Sequence, residues 1–268
     1  MYFCLMGFEN KVIWITGASS GIGEELAIQL AHSGAKIILS ARNEQKLNRI
    51  KESLPHSVKH FVVPLDLSKS ETFKELTQRV IDKYDKIDYL FNSGGLSQRS
   101  EASDTELDID RMIMEVNYFG NIVLTKAVLP YMQKQKNGHI VVTSSIAGKF
   151  GFFLRSAYCA SKHALHGFYE SLLLEEEKNN INVTIVCPGK INTPISINAI
   201  NAEGKKHGEM DHNQKEGMAV ELCVEKMLKA TLDKKKEVLI GNKEIKAVTL
   251  KRFLPALFWK IIRKQKAT

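Results

Sequence analysis

The stretch Thr16-Gly-Ala-Ser-Ser-Gly21-Ile-Gly23 limits the fold of this chain more than any other. It follows the apolar run Val12-Ile-Trp-Ile15 and precedes the helical pattern Leu26, Ala27, Leu30, so the chain passes from strand to helix through a glycine-rich turn. Glycines at such a turn let the backbone close tightly and approach a pyrophosphate, which then rests on the positive end of the helix. The rest of the chain alternates short apolar runs with helical patterns. Further strands are predicted over residues 36–40, 60–63, 87–91, 139–143, 181–186 and 237–240. Helices are predicted over about 43–54, 70–84, 156–178 and 219–232. This alternation is the mark of βαβ units and of a parallel sheet covered on both faces. Right-handed crossovers, with the glycine turn after the first strand, predict a doubly wound α/β (Rossmann) fold of seven strands in the order 3-2-1-4-5-6-7. Ligands of such sheets bind beyond the carboxyl ends of the strands.

Tyr158 and Lys162 lie one helical turn apart and share a face. A phenol has an ordinary pKa of roughly 10, and a cation held near it stabilises the phenolate and moves it toward a useful range. A bare Tyr-x-x-x-Lys is common on helix surfaces. Here it stands with the glycine turn and with Val141-Val-Thr-Ser-Ser145, whose last serine is thirteen residues before Tyr158. With these three in register the chain resembles the short-chain dehydrogenase/reductase family in its single-domain form, over about residues 8–240.

The resemblance implies hydride transfer between a nicotinamide dinucleotide and a carbonyl or secondary alcohol. Tyr158 would exchange the proton, Ser145 would hydrogen-bond the carbonyl oxygen, and Lys162 would hold the ribose and lower the phenol pKa. Asn117 would hold a water that relays protons to the lysine; a purely structural asparagine is the other reading of that position. Gly17, Ser19, Ser20, Gly21, Ile22 and Gly23 would cradle the phosphates. Asp66, with Leu67, would meet the adenine, unless Asp66 is only a turn or cap residue. Asn92 and Gly94 would line the cofactor, although Asn92-Ser-Gly-Gly95 departs from the family's usual Asn-Asn-Ala-Gly. Pro188, Gly189, Ile191 and Thr193 would wrap the nicotinamide. At the end of the second strand an acidic residue favours NAD, whereas arginine can pair with a 2′-phosphate. The run Leu39-Ser40-Ala41-Arg42 therefore predicts NADP(H) over NAD(H), with Ser40 and Arg42 as phosphate contacts.

One domain over residues 1–242 is expected, with a mobile substrate lid at about 194–217 and a basic amphipathic extension over 243–268. The formal charge of +8 is concentrated in that extension, where Lys251, Arg252, Lys260, Arg263 and Lys264 are interleaved with Phe253, Leu254, Leu257, Phe258, Trp259, Ile261 and Ile262. No nucleic-acid module accompanies the charge, so no nucleic-acid partner is expected. The extension would either lie in a bilayer interface or pack on its own domain or a partner subunit. The apolar opening, Met1 to Met6, lacks a basic segment and a cleavage site, so no signal peptide is expected. Cys4, Cys159, Cys187 and Cys223 have neither metal nor disulfide spacing, which predicts free thiols in a reducing, cytoplasmic setting, peripheral to a membrane if the extension binds one. His163 and His166 have no third ligand in sequence, and no metal is expected.

Family habit adds a homodimer or homotetramer built on the long helices near Asn117 and Tyr158. The segments around 95–100, 117–120 and 158–165 are similar to the membrane-associated dehydrogenase/reductase branch, which implies an apolar lipid, steroid or retinoid substrate. Two rivals remain: a regulator that binds NADP(H) without turnover, and an epimerase or dehydratase, for whose extra substrate domain the chain is too short.

Overall fold

The computed structural model describes residues 7–267. The opening segment read as no signal peptide, and Cys4 within it, lie outside the described residues. The elements run β1 (Val12–Thr16), α1 (Gly21–His32), β2 (Lys36–Ser40), α2 (Glu44–Ser53), β3 (Phe61–Val62), α3 (Phe73–Tyr84), β4 (Tyr89–Asn92), α4 (Leu107–Met114), α5 (Gly120–Gln135), β5 (Gly138–Thr143) and α6 (Ser156–Glu176). They continue with β6 (Ile181–Pro188), α7 (His212–Lys215), α8 (Val220–Leu232), β7 (Glu237–Ile240), α9 (Lys246–Phe253) and α10 (Pro255–Ile262).

The seven strands form one sheet in the order β3-β2-β1-β4-β5-β6-β7, every pairing parallel. This is the topology expected from the sequence. Side chains alternate along a strand, and a strand buried on both faces reads as an unbroken apolar run. In β1, Ile13 and Ile15 join Leu26, Leu30 and Met227 in one layer of core. Val12 and Trp14 turn the other way, to Phe73, Val128 and Leu165. Helices α1 and α8 thus cover one face, and α3, α5 and α6 the other.

Strand β3 is shorter than predicted. Pro64 has no N–H to continue a ladder. At the other end the His60 side chain, rather than its backbone, accepts the Ile37 N–H at 3.1 Å. Helix α2 starts where its cap predicts, with Asn43 Oδ1 accepting the Lys46 N–H. Between α4 and α5 the chain makes one π-helical turn, Glu115–Phe119, a wide turn that often marks a functional position. Asn117 sits on it.

The segment over 194–217, expected to be a substrate lid, is bonded to the loop after β4. Ile200 exchanges backbone bonds with the loop after β4: Arg99 N–H to Ile200 O at 2.8 Å, and Ile200 N–H to Ser97 O at 2.9 Å. A buried ion pair between Asp211 and Arg99 adds to it. Over the C-terminal extension, α9 and α10 lie on the loop after β5. Phe258 is buried with its ring 5.2 Å from that of Phe150, and Lys251 Nζ donates to the Lys149 carbonyl at 2.9 Å.

Candidate active site

The carboxyl ends of the strands open into a cleft of about 1920 Å³. Gly17 through Gly23 form its floor on the β1 side, and their conformation explains the glycines. Gly17 has φ +69°, and a Cβ there would come within 2.8 Å of Gly94 Cα. A Cβ on Gly23 would lie 2.3 Å from the Gly17 carbonyl oxygen, so α1 could not approach β1. The Thr16 hydroxyl accepts the N–H groups of Ser93 and Gly94, both at 3.1 Å, which ties the end of β1 to the end of β4.

Ser145, Tyr158 and Lys162 converge on the cleft beyond β5, and all three are buried. Ser145 Oγ donates to the Pro188 carbonyl at 3.3 Å and accepts the Ala147 N–H at 3.1 Å. It also lies near enough to the Tyr158 phenol to pull its pKa downward. Lys162 Nζ donates to the Thr143 carbonyl at 2.8 Å and lies 5.7 Å from the centre of the Tyr158 ring.

The expected acidification of the phenol by Lys162 is not what the geometry produces. Burial raises the Tyr158 pKa above its ordinary value, against the opposing pull of Ser145 and of the Arg155 and Arg99 guanidinia. Burial likewise brings the Lys162 ammonium down to about 8. The reason is that desolvation disfavours the charged form of each group.

The Asn117 side chain is hydrogen-bonded on both its polar atoms. Its Oδ1 accepts the Leu96 N–H at 2.7 Å, and its Nδ2 donates to the Leu96 carbonyl at 2.9 Å and to Ser161 Oγ at 3.0 Å. The side chain therefore braces the loop after β4 against α6, the structural alternative for this position.

Ser40 and Asn92, both expected to contact the cofactor, have their side chains engaged within the protein. Ser40 Oγ donates to the Val63 carbonyl at 2.6 Å and accepts the Trp14 indole N–H at 2.8 Å. Its hydroxyl is engaged inside the sheet, although Ser40 itself lines the cleft together with Arg42, Asn43 and Lys46. Asn92 Nδ2 donates to Thr125 Oγ1 and Tyr169 Oη, beneath the sheet and away from the cleft. Side-chain alternation accounts for both, since a residue at a strand end lines a cleft by its backbone when its side chain points into a helix layer.

Asp66 lines the cleft beside Leu67, but Oδ1 accepts both the N–H and the hydroxyl of Ser68. Burial raises its pKa, yet those bonds and the Arg42 charge carry it below the ordinary carboxylate value. Pro188, Gly189, Ile191 and Thr193 line the opposite wall, and the Ile191 carbonyl accepts the Gln214 amide. Thr193 packs on the turn, where a Cβ on Gly21 would be 3.1 Å from Thr193 Cβ.

Several residues at the site carried no sequence signal. Helix α6 begins without a capping side chain of its own. Gln98, fully buried and far away in sequence, supplies the cap: its Oε1 accepts the N–H groups of Ala157 and Tyr158 at 2.9 and 3.3 Å. Ser144 turns from Ser145 to bond the Lys162 carbonyl and His166 Nε2. His166, Cys187 and Glu237 place ligand-type atoms within 4.8 Å of one another. The Lys149 ammonium bonds both His166 Nδ1 and Glu237, so a cation already stands in that cluster. Burial, with Lys149 beside it, brings the His166 pKa down to about 4, and the imidazole is neutral near pH 7.

The cleft geometry agrees with comparisons to known proteins. The family profile described as short chain dehydrogenase matches residues 11–204. A Dehydrogenase/reductase SDR family protein 7-like of Drosophila melanogaster is 40% identical over 262 residues, covering 96% of this chain and 80% of its own. Dehydrogenase/reductase SDR family member 7B of Mus musculus is 39% identical, covering 94% and 80%. A short-chain dehydrogenase from Streptomyces avermitilis superposes with a TM-score of 0.82 at 25% identity, covering 96% of this chain and 97% of its own. One from Burkholderia phymatum, crystallised with NAD, gives 0.82 at 22%, covering 98% of each, and shows the fold alone. With its seven-stranded parallel sheet, its glycine turn and its serine, tyrosine and lysine gathered in one cleft, the chain belongs to the short-chain dehydrogenase/reductase family.

Proposed function

We propose that this oxidoreductase uses NADP(H) to interconvert a carbonyl and a secondary alcohol on an apolar substrate. The convergence of Ser145, Tyr158 and Lys162 at the strand ends, in the same cleft as the glycine turn, carries the reading. A dinucleotide fits that turn, because glycines at 17, 21 and 23 leave backbone N–H groups and a helix N-terminus open to phosphate. When bound, the nicotinamide supplies or accepts the hydride. In the reductive direction the Tyr158 phenol delivers a proton to the carbonyl oxygen. Ser145 donates a hydrogen bond to that oxygen, where charge develops. Lys162, at about 8, is mostly protonated at neutral pH, lies 5.7 Å from the centre of the Tyr158 ring and is the proposed source of the phenol's returning proton. Asn117 holds the cleft wall in place.

Arg42, with Lys46 beside it, supports NADP(H) over NAD(H). Arg42→Ala is expected to lower kcat/KM with NADPH by about 10-fold or more, the size of a lost charge-assisted hydrogen bond, and to change the value with NADH much less. Wild-type enzyme that uses NADH better than NADPH would remove the assignment.

The apolar substrate is supported by the cleft wall, to which Val116, Phe150, Phe152, Leu250, Phe253 and Leu254 contribute. No helix among the described residues is long and apolar enough to cross a membrane. Helices α9 and α10 instead leave Phe253, Leu254, Leu257, Trp259 and Ile261 exposed among lysines and arginines at the cleft rim. We read them as a peripheral contact with an anionic, cytoplasmic membrane surface. Flotation with anionic liposomes tests this: binding is expected at low salt and is expected to fall with salt and in Trp259→Glu. No flotation at low salt would end the membrane reading. Exposed Phe119 and Leu174, near α5 and on α6, are consistent with a homodimer or homotetramer through those helices.

A further inference from the structure

The corner of the cleft next to Tyr158 contains more positive charge than its own side chains neutralise. Arg99 and Arg155 both bond Asp211. Arg99 Nε reaches Asp211 Oδ1 and Oδ2 at 3.3 and 2.9 Å, its Nη2 reaches Oδ2 at 2.5 Å, and Arg155 Nη2 reaches the same Oδ2 at 3.1 Å. The Arg99 side chain is 3% exposed, that of Arg155 13% and that of Asp211 2%. Two buried guanidinia thus share one carboxylate. His207 stands 3.7 Å from Asp211 and can only add positive charge, while the Tyr158 phenol and the Cys159 thiol, both raised by burial, add no negative charge near neutral pH. Buried charges are ordinarily paired, and an unbalanced guanidinium of this kind attracts an anion.

The two arginines differ in what remains free. Arg99 has four of its five N–H groups engaged: besides the bonds to Asp211, its Nη1 donates to Ser97 Oγ at 2.8 Å and to the Gln98 carbonyl at 2.6 Å. Arg155 spends Nη1 on the Phe153 carbonyl and Nη2 on Asp211, while its guanidinium lies 5.4 Å from the centre of the Phe152 ring. Burial and the neighbouring Arg99 bring its pKa down to about 10, as expected of a cation short of counter-charge. All three side chains line the cleft.

The phosphates of a dinucleotide are not the missing anion. The glycine turn and Arg42 follow β1 and β2, whereas Arg155 follows β5 and Asp211 follows β6, across the sheet. Arg155 is three residues before Tyr158 on α6, and Gln98, the neighbour of Arg99, caps the Tyr158 N–H. The cationic corner is therefore on the substrate side, beside the proton donor, with apolar wall on from it.

We infer that Arg155, backed by Arg99, binds an anionic group of the substrate, so that the substrate is an amphiphile with a carboxylate or phosphate head, a ketone near it and an apolar chain. This rests on the oxidoreductase reading for its chemistry, but the anion site is testable without turnover. Long-chain oxo-acids with the ketone two to six carbons from the carboxylate, their methyl esters, and the matching oxo-alkyl phosphates are compared with NADPH. Wild-type enzyme is expected to favour at least one anionic series over the esters by 10-fold or more in kcat/KM. Whichever anion gives the larger ratio identifies the head group. In Arg155→Gln the ratio is expected to fall toward one, through a rise in KM for the anionic series, and in Arg155→Lys it is expected to be largely kept. A wild-type ratio near or below one, or a ratio unchanged in Arg155→Gln, overturns the inference.

Should no compound turn over, tryptophan-fluorescence titration with a long-chain fatty acid and its methyl ester decides separately. Tighter binding of the acid, lost in Arg155→Gln, supports the anion site while the oxidoreductase reading fails. Equal binding of acid and ester overturns the site.

Discussion

Tyr158→Phe is expected to lower kcat for ketone reduction by about 10²- to 10⁴-fold, the range in which a positioned acid or base contributes, with cofactor affinity changed little. The substitution removes one oxygen and leaves the ring, whose burial fixes this part of α6. Ser145 keeps its bonds to Pro188 and Ala147 in the variant. Fluorescence titration with NADPH separates the steps: unaltered binding with lost turnover is the signature of a proton donor. The pH dependence sharpens it. With Lys162 near 8 and the phenol raised, reduction should slow as pH rises through about 8, because the lysine then loses the proton with which it recharges the phenol. Wild-type turnover in Tyr158→Phe would defeat the assignment. A protein that only bound the dinucleotide would show no such loss, having no turnover to lose.

The fold was legible because its signals are local. The apolar run ending at Thr16, the glycines that follow it and the alternation of strands with helices each depend on neighbouring residues, and together they determine the parallel order of the sheet. Spacing within α6 likewise brought Tyr158 and Lys162 together. What could not be read was how each polar side chain is spent. Ser40 and Asn92 sit at strand ends, where sequence suggests contact with a ligand, but Trp14, Val63, Thr125 and Tyr169 claim their polar atoms. Asn117 is claimed by Leu96 and Ser161. Those partners are tens of residues away in the chain and are known only from packing. The cap of α6 is the same case: the helix starts at Arg155 with nothing nearby to accept its first N–H groups, and Gln98 does so from another loop. Spacing likewise gives the proximity of Tyr158 and Lys162 and says nothing of how deeply both are buried.

Asp211→Asn should be the most destabilising single change in the cleft, by about 3–5 kcal/mol, as found when one partner of a buried ion pair is removed. For a chain of this size that corresponds to a fall in Tm of roughly 6–20 °C. The isosteric amide keeps the volume and can still accept a hydrogen bond, so the loss reports charge rather than packing. Two guanidinia would then face each other without a counter-charge, and the segment over 194–217 would lose its ionic tie to the loop after β4. Arg155→Gln alone should cost much less, because it leaves Arg99 and Asp211 as a balanced pair. The two changes must therefore be non-additive: Asp211→Asn with Arg155→Gln should recover part of the loss, since only one guanidinium is then unpaired. A strictly additive double variant, or an Asp211→Asn protein within about 1 kcal/mol of wild type, would mean that solvent already screens this corner. In that case neither the fastening of the lid nor the surplus charge beside Tyr158 would carry the weight given to it here.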